Sequence, residues 1–354
     1  MIVAIWVPKY NIEFDDPCCY PMGLMYISAV LKRDGHAVVV LNNNLYPHNP
    51  EALTYADAVL FTGFEETMPE TIMLSTRLRS KGVHTILGGA YATFKTDEAL
   101  KHFDVVVVGE GEHAFPTALR VRGTINAAPM AMSDIPLPDY AGFGIDEYHR
   151  RRDIRYMGVL TARGCPHSCT FCSSVCKFRV RDLRDVRAEV NRYIDTYNVS
   201  TIVINDNTLN TSLARLSDFC DMMRPMAIEW TAALRLDNLN EDLVRSARDS
   251  GLVYAVVGVE SFDQQKLDAM NKSITVREVV AGLELLQKYA VPYTGNVLVS
   301  SEEEIDNNMT LIRKYRLYPT AIKKFVGNSV DEAPAAVQNR CRTYAQEHGR
   351  HYAA

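Results

Sequence analysis

No run of about 18 apolar residues occurs in the chain, so nothing in it reads as a membrane-crossing helix. Its first residues, Met1 to Val7 (MIVAIWV), lack the basic start and small-residue cleavage site of a secretory signal. Positive charge is not in excess. The 38 Lys and Arg stand against 43 Asp and Glu, a net charge of −5, so no basic field marks nucleic acid or an anionic membrane as a partner. Cysteine is scarce at eight in 354 residues, too sparse for a disulfide scaffold. These absences point to a reducing, cytoplasmic setting. What is present is apolar matter: 47% of the residues are hydrophobic, enough to build the cores of about two domains.

The few cysteines are unevenly spread. Arg163-Gly164-Cys165-Pro166-His167-Ser168-Cys169-Thr170-Phe171-Cys172 places three of them at C-x3-C-x2-C spacing. Three thiolates are one too few to close an iron–sulfur site. An iron of a cubane held by them would keep an open corner, and an open position on a metal is where chemistry happens. Met157 to Thr161 reads as a buried strand that runs into this loop, and a helix-forming stretch follows. Two other readings stay open. The cysteines suit part of a zinc site, and Cys176 extends the run to four thiols, which would close the site.

Strands alternate with helical stretches along the rest of the chain, the pattern of an α/β protein with parallel sheets. In the first third, strand runs at Met1–Val7, Ala37–Leu41, Ala58–Phe61, His84–Leu87 and Val105–Val108 predict a doubly wound, Rossmann-like sheet over residues 1–122. Gly88-Gly89 and Gly109-Glu110-Gly111 close its last two strands, where a ligand would approach the backbone. Residues 123–155, rich in Pro and small residues, read as a linker. About six βα units over 156–327 predict a partial (β/α)6 TIM-like barrel, with a short polar tail over 328–354. Polar groups follow its strands: Asn205-Asp206-Asn207, Arg235-Leu236-Asp237 and Glu260-Ser261.

The cysteine loop resembles the cluster motif of the radical S-adenosylmethionine (radical SAM) enzymes, with Phe171 in the aromatic position before the third cysteine. The resemblance implies a 4Fe-4S cluster on Cys165, Cys169 and Cys172, its free iron chelated by SAM, which one electron cleaves to a 5′-deoxyadenosyl radical. It places Asp206 and Asn207 near the SAM amino group, Arg235 near its carboxylate, and Glu260 near its ribose and amino acid. It also implies an electron donor such as flavodoxin or ferredoxin, and a small-molecule or peptide substrate. The first 120 or so residues resemble the cobalamin-binding domain that precedes many of these enzymes, with Gly88, Gly89, Gly109 and Gly111 against the corrinoid. No D-x-H-x-x-G is present, so no histidine is expected on cobalt, and Gly88-Gly89-Ala90-Tyr91 departs from the usual Gly-Gly-Pro-His. After the fifth barrel strand, Ser300-Ser301-Glu302-Glu303 stands where the family has a Pro-Gly turn.

The leading expectation is a cobalamin-dependent C-methyltransferase. The alternatives are a cobalamin-free radical SAM epimerase, oxidoreductase or rearrangement enzyme, and a non-catalytic metal-binding module. Cys18, Cys19 and Cys176 are candidate redox or hydrogen-donor groups, whereas Cys220, inside a helical stretch, reads as a small buried hydrophobe.

Overall fold

The structure, a computed structural model, describes residues 1–9, 21–152, 155–172, 176–321, 325–326, 329–330 and 334–347. They divide into two compact units, Met1–Ile154 and Arg155–Ala354. Cys18 and Cys19 lie outside the described residues.

In the first unit, β1 (Ile2–Val7), β2 (Ala37–Asn42), β3 (Ala58–Phe61), β4 (His84–Leu87), β5 (Val105–Val108) and β6 (Gly123–Asn126) form one sheet in the order β2-β1-β3-β4-β5-β6. Every pairing is parallel. Ala58 to Phe61 and Val105 to Val107 are fully buried, as strands covered on both faces must be, which is why they read as unbroken apolar runs. The strand order reverses between β1 and β3, and the crevice beyond their carboxyl ends is where such sheets take ligands.

β6 lies in the stretch expected as a linker. It is an edge strand whose residues alternate between half-buried and exposed, so it carries no apolar run to announce it. The rest of that stretch folds back onto the same unit. Tyr140 and Phe143 are buried, and the Asp139 carboxylate accepts from Ser28 Oγ at 2.6 Å and pairs with Lys32, both on helix Met22–Arg33.

The second unit contains β7 (Tyr156–Val159), β8 (Ala162–Arg163), β9 (Arg179–Val180), β10 (Thr201–Ile204), β11 (Glu229–Leu234), β12 (Leu252–Glu260), β13 (Tyr293–Val299) and β14 (Tyr318–Ala321). Six of them make a parallel sheet in the order β7-β10-β11-β12-β13-β14. Each neighbour is the next in the chain, with helices Leu183–Tyr197, Leu213–Met223, Glu241–Asp249, Val276–Lys288 and Glu302–Lys314 between them. That is the winding of a TIM-like barrel, here with six strands. Trp230 is fully buried, edge-on to Phe219 at 5.0 Å, and its indole N–H donates to the Ser250 carbonyl.

The tail, expected to be short and polar, holds helix Ala335–Glu347, with Cys341 and Tyr344 buried and the Tyr344 ring edge-on to Tyr318 at 6.5 Å. Among the described residues no helix is long and apolar enough to cross a membrane.

Candidate active site

The cysteine loop is closed by a small hairpin. β8 and β9 pair antiparallel, Ala162 with Val180 and Arg163 with Arg179, which sets the two ends of the loop, Gly164 and Phe178, side by side. Gly164 makes this closure. Its φ is +71°, and a Cβ there would sit 2.3 Å from the Cys176 carbonyl oxygen. Only glycine accepts both the left-handed backbone and the contact. Cys165, Cys169, Cys172 and Cys176 are half-buried, and none forms a disulfide.

Asp206 anchors the start of the loop. It is 5% exposed. One carboxylate oxygen accepts from the backbone N–H of Thr161 at 2.7 Å and of Ala162 at 2.9 Å, and the other accepts from the Thr161 hydroxyl. Burial pushes its pKa up to about 6, opposed by those hydrogen bonds and by the Arg215 charge. Arg215 donates to the Thr161 carbonyl at 3.0 Å, and the Arg181 guanidinium donates to the Leu160 carbonyl at 2.9 Å. Arg181 also pairs with the buried Glu189, which accepts from Tyr193. The resemblance expected Asp206 at the rim for an ammonium group. The fold turns it inward instead, its oxygens spent on the strand end from which the loop departs, and Asn207 is the exposed member of the pair.

A second segment docks on the loop from the other side of the sequence. The Thr170 N–H donates to the Met270 carbonyl at 2.9 Å, and the Asn271 amide donates to the Ser168 carbonyl and hydroxyl, each at 2.9 Å. Next in the chain is Lys272, 6% exposed, its ammonium 2.9 Å from the Glu260 carboxylate and 5.6 Å from the centre of the Phe171 ring. Arg235 forms a two-pronged pair with Asp237 at 2.9 and 2.7 Å and donates to the Lys272 carbonyl at 3.0 Å. Its own backbone N–H and carbonyl are held by the buried Asn210 amide, each at 2.7 Å.

Arg235 and Glu260 thus both hold Lys272, whose ammonium faces Phe171, and each already has a protein partner, Asp237 and Lys272. Sequence reasoning missed Lys272 and Asn210. The repeated asparagines of Asn205-Asp206-Asn207-Thr208-Leu209-Asn210 were a signal for the latter; nothing local marked the former.

Two polar atoms of the loop, His167 Nε2 and Thr170 Oγ1, are buried without a hydrogen-bond partner among the described residues. Burial, then the Arg235 charge, holds the His167 pKa below the ordinary histidine value. Burial raises the Cys169 thiol, opposed first by Lys272 and then by Arg235. A soft donor set flanked by two cations and by unpartnered polar atoms fits an anionic thiolate-held cluster. Among the described residues no three His, Cys, Asp or Glu side chains converge as the ligands of a single ion would; thiolates that each take a different corner of a cubane need not converge.

In the first unit the four glycines have a reason of their own. A Cβ at Gly88 would lie 2.8 Å from the Phe115 ring, and one at Gly111 2.5 Å from the same ring. Gly89 has φ +89°, with the Thr62 hydroxyl 2.6 Å from where a Cβ would be. Gly109 (φ +88°) donates its N–H to the Thr93 hydroxyl at 3.0 Å. Tight packing against Phe115 and Thr62 accounts for small residues here before any ligand is invoked. Cys220 is fully buried in helix Leu213–Met223, and burial raises its thiol, as a small core hydrophobe requires. After β13, Ser301 caps helix Glu302–Lys314, while the Glu304 carboxylate accepts from Ser300 N–H at 2.6 Å and Lys266 at 2.9 Å. That capped turn stands in place of a Pro-Gly turn.

Comparison with known proteins agrees with this division. Residues 159–312 match the Radical SAM superfamily model, and residues 15–119 match the B12 binding domain model. An uncharacterized methyltransferase of Pyrococcus horikoshii is 22% identical over 342 residues, covering 83% of this chain and 73% of that protein. The anaerobic magnesium-protoporphyrin IX monomethyl ester cyclase of Cereibacter sphaeroides is 27% identical over 270 residues, 66% of this chain and 44% of that one. This chain therefore spans under half of one curated relative and about three quarters of the other. Among solved structures, the cobalamin-dependent S-adenosylmethionine radical enzyme OxsB with aqua-cobalamin bound superposes with a TM-score of 0.71 at 15% identity, over 88% of this chain and 51% of that one, which shows a shared fold.

Proposed function

We propose that the chain is a radical SAM superfamily enzyme, cobalamin-dependent, that methylates carbon. The observation that carries this reading is the cysteine loop: three thiols on one hairpin-closed loop at the carboxyl end of the first barrel strand. It follows, in the same chain, a doubly wound unit of B12-binding type. Cys165, Cys169 and Cys172 would hold a 4Fe-4S cluster, and Phe171, Asn207, Arg235 and Glu260 would line the place of SAM. Bound there, cluster and SAM supply a 5′-deoxyadenosyl radical on one-electron reduction, and a corrinoid supplies the methyl group. The chain's own part is placement. Asp206 fixes Thr161 and Ala162 and so sets where the loop leaves β7. Asp237 orients the Arg235 fork. Ligation asks each thiol to release its proton; at Cys169 burial opposes that release and Lys272 assists it. A flavodoxin- or ferredoxin-type donor and a small-molecule or peptide substrate complete the reading.

Anaerobic reconstitution should give about four irons per chain and thiolate-to-iron absorbance near ~400 nm. Replacing Cys165, Cys169 and Cys172 by Ala should abolish both, and Cys176→Ala should spare them. With a strong reductant the protein should convert SAM to 5′-deoxyadenosine; a retained cluster with none formed would favour a non-catalytic module. The packing that explains Gly88, Gly89 and Gly111 keeps a second reading alive, a radical SAM enzyme without corrinoid. Hydroxocobalamin retained through gel filtration supports the methyltransferase; its loss supports the second reading.

A further inference from the structure

Lys272 is an unusual residue to bury. A lone ammonium shielded from water loses its proton or finds an anion. Here the Glu260 carboxylate at 2.9 Å supplies the anion, with side-chain exposures of 8% for Lys272 and 13% for Glu260. The fold goes to some length to seat this cation. Asn271 and Ser273, on either side of it, have φ +50° and +53°, and Glu260 itself has φ +64°. Left-handed backbone at residues other than glycine persists only where the surroundings over-determine it. They do so here: Thr170 N–H holds Met270, Ser168 holds Asn271, and Arg235 holds the Lys272 carbonyl. Room for the pair comes from Gly258, where a Cβ would lie 2.5 Å from the Lys272 nitrogen. All three of these clamps end on the cysteine loop or on Arg235, and the ammonium rests against Phe171, the neighbour of Cys172.

We propose that Lys272 is a positioning residue whose buried charge, clamped by Glu260 against the Phe171 ring, raises the reduction potential of the loop's iron–sulfur cluster. The inference rests on the reading that Cys165, Cys169 and Cys172 hold such a cluster. Reduction adds one negative charge to a group already carrying anionic thiolates, and a nearby cation in a low-dielectric setting favours that addition. Removing the ammonium weakens the reduced form whether Glu260 then stays charged or takes up a proton. Its charge either repels the added electron or the favourable dipole is simply gone. A bridge that merely holds the segment in place would leave the potential unmoved.

The test is an anaerobic redox titration of the reconstituted protein with titanium(III) citrate, without SAM, reading the reduced cluster by electron paramagnetic resonance and iron by assay. Lys272→Met and Lys272→Gln should keep their iron and become at least tenfold harder to reduce, a shift of about 59 mV for one electron. Lys272→Arg should titrate with the wild type. Loss of the cluster in both neutral variants but not in Lys272→Arg would overturn it in favour of a structural bridge to Glu260. Unshifted potentials at full iron content, or loss of the cluster in all three variants alike, would overturn it. A wild-type chain that assembles no cluster sinks the underlying reading instead.

Discussion

Replacing Asp206 by Asn isolates the electrostatic cost of anchoring the cysteine loop with a buried carboxylate. Burial pushes Asp206 up to about 6, against about 3.9 for an exposed Asp, and each unit is worth ~1.4 kcal/mol. Between about pH 4 and 6 the folded chain keeps a proton that the unfolded chain has released. Stability therefore falls as pH rises through that window, by about 3 kcal/mol in all, and the contribution is complete below pH ~4. Two effects compete. Desolvation of a side chain 5% exposed raises the value, while two backbone N–H groups, a hydroxyl and the Arg215 charge lower it. Asn keeps the shape and an oxygen for the Thr161 and Ala162 N–H groups but cannot titrate. The assay is urea unfolding of the cluster-free chain from pH 4 to 8. The protein has two tryptophans, so a Trp6→Phe background leaves the buried Trp230 as sole reporter of the second unit. The stability of Asp206→Asn relative to its parent should rise by about 3 kcal/mol between pH 4 and 7. A difference that does not change with pH would refute the reasoning. A falling one would mean that the hydrogen bonds, and not burial, dominate.

Gly164→Ala should leave a folded chain that takes up far less iron, since its Cβ meets the Cys176 carbonyl and its backbone is left-handed, a strain of about 1–3 kcal/mol before the clash is counted; iron per chain checks it. Arg181→Met strips the cation from Glu189, whose side chain is 1% exposed, and should cost the second unit about 3–5 kcal/mol in urea unfolding. Gly88→Ala should destabilise the first unit by driving a methyl group into Phe115. Phe115→Leu in the same chain should recover part of that loss, with a coupling of about 0.5–3 kcal/mol in a double-mutant cycle.

The alternation of strand and helix was legible because it is a local signal. Apolar runs such as Val105–Val108 and capped helices such as Thr275 before Val276–Lys288 declare themselves within a few residues. β6 was not legible, because an edge strand with one neighbour needs no apolar run. The loop's cysteines were legible because their spacing is contiguous chemistry. The orientation of Asp206 was not. Side-chain alternation fixes faces along β10 but stops at the strand's end, and the donors that turn Asp206 inward arrive from Thr161 and Ala162, more than forty residues earlier.

By itself, then, the order of residues determined which groups are available: three thiols on one loop, six barrel strands in chain order, glycines after β4 and β5. Tertiary structure alone decided what those groups touch. It spent Asp206 on backbone, matched Arg235 with Asp237, packed Gly88 and Gly111 onto Phe115, and brought Lys272 from the far side of β12 to rest between Glu260 and Phe171. Composition and periodicity act over one or two turns of chain. The field around a thiol is set by every charge within reach in space, and only folding brings those charges together.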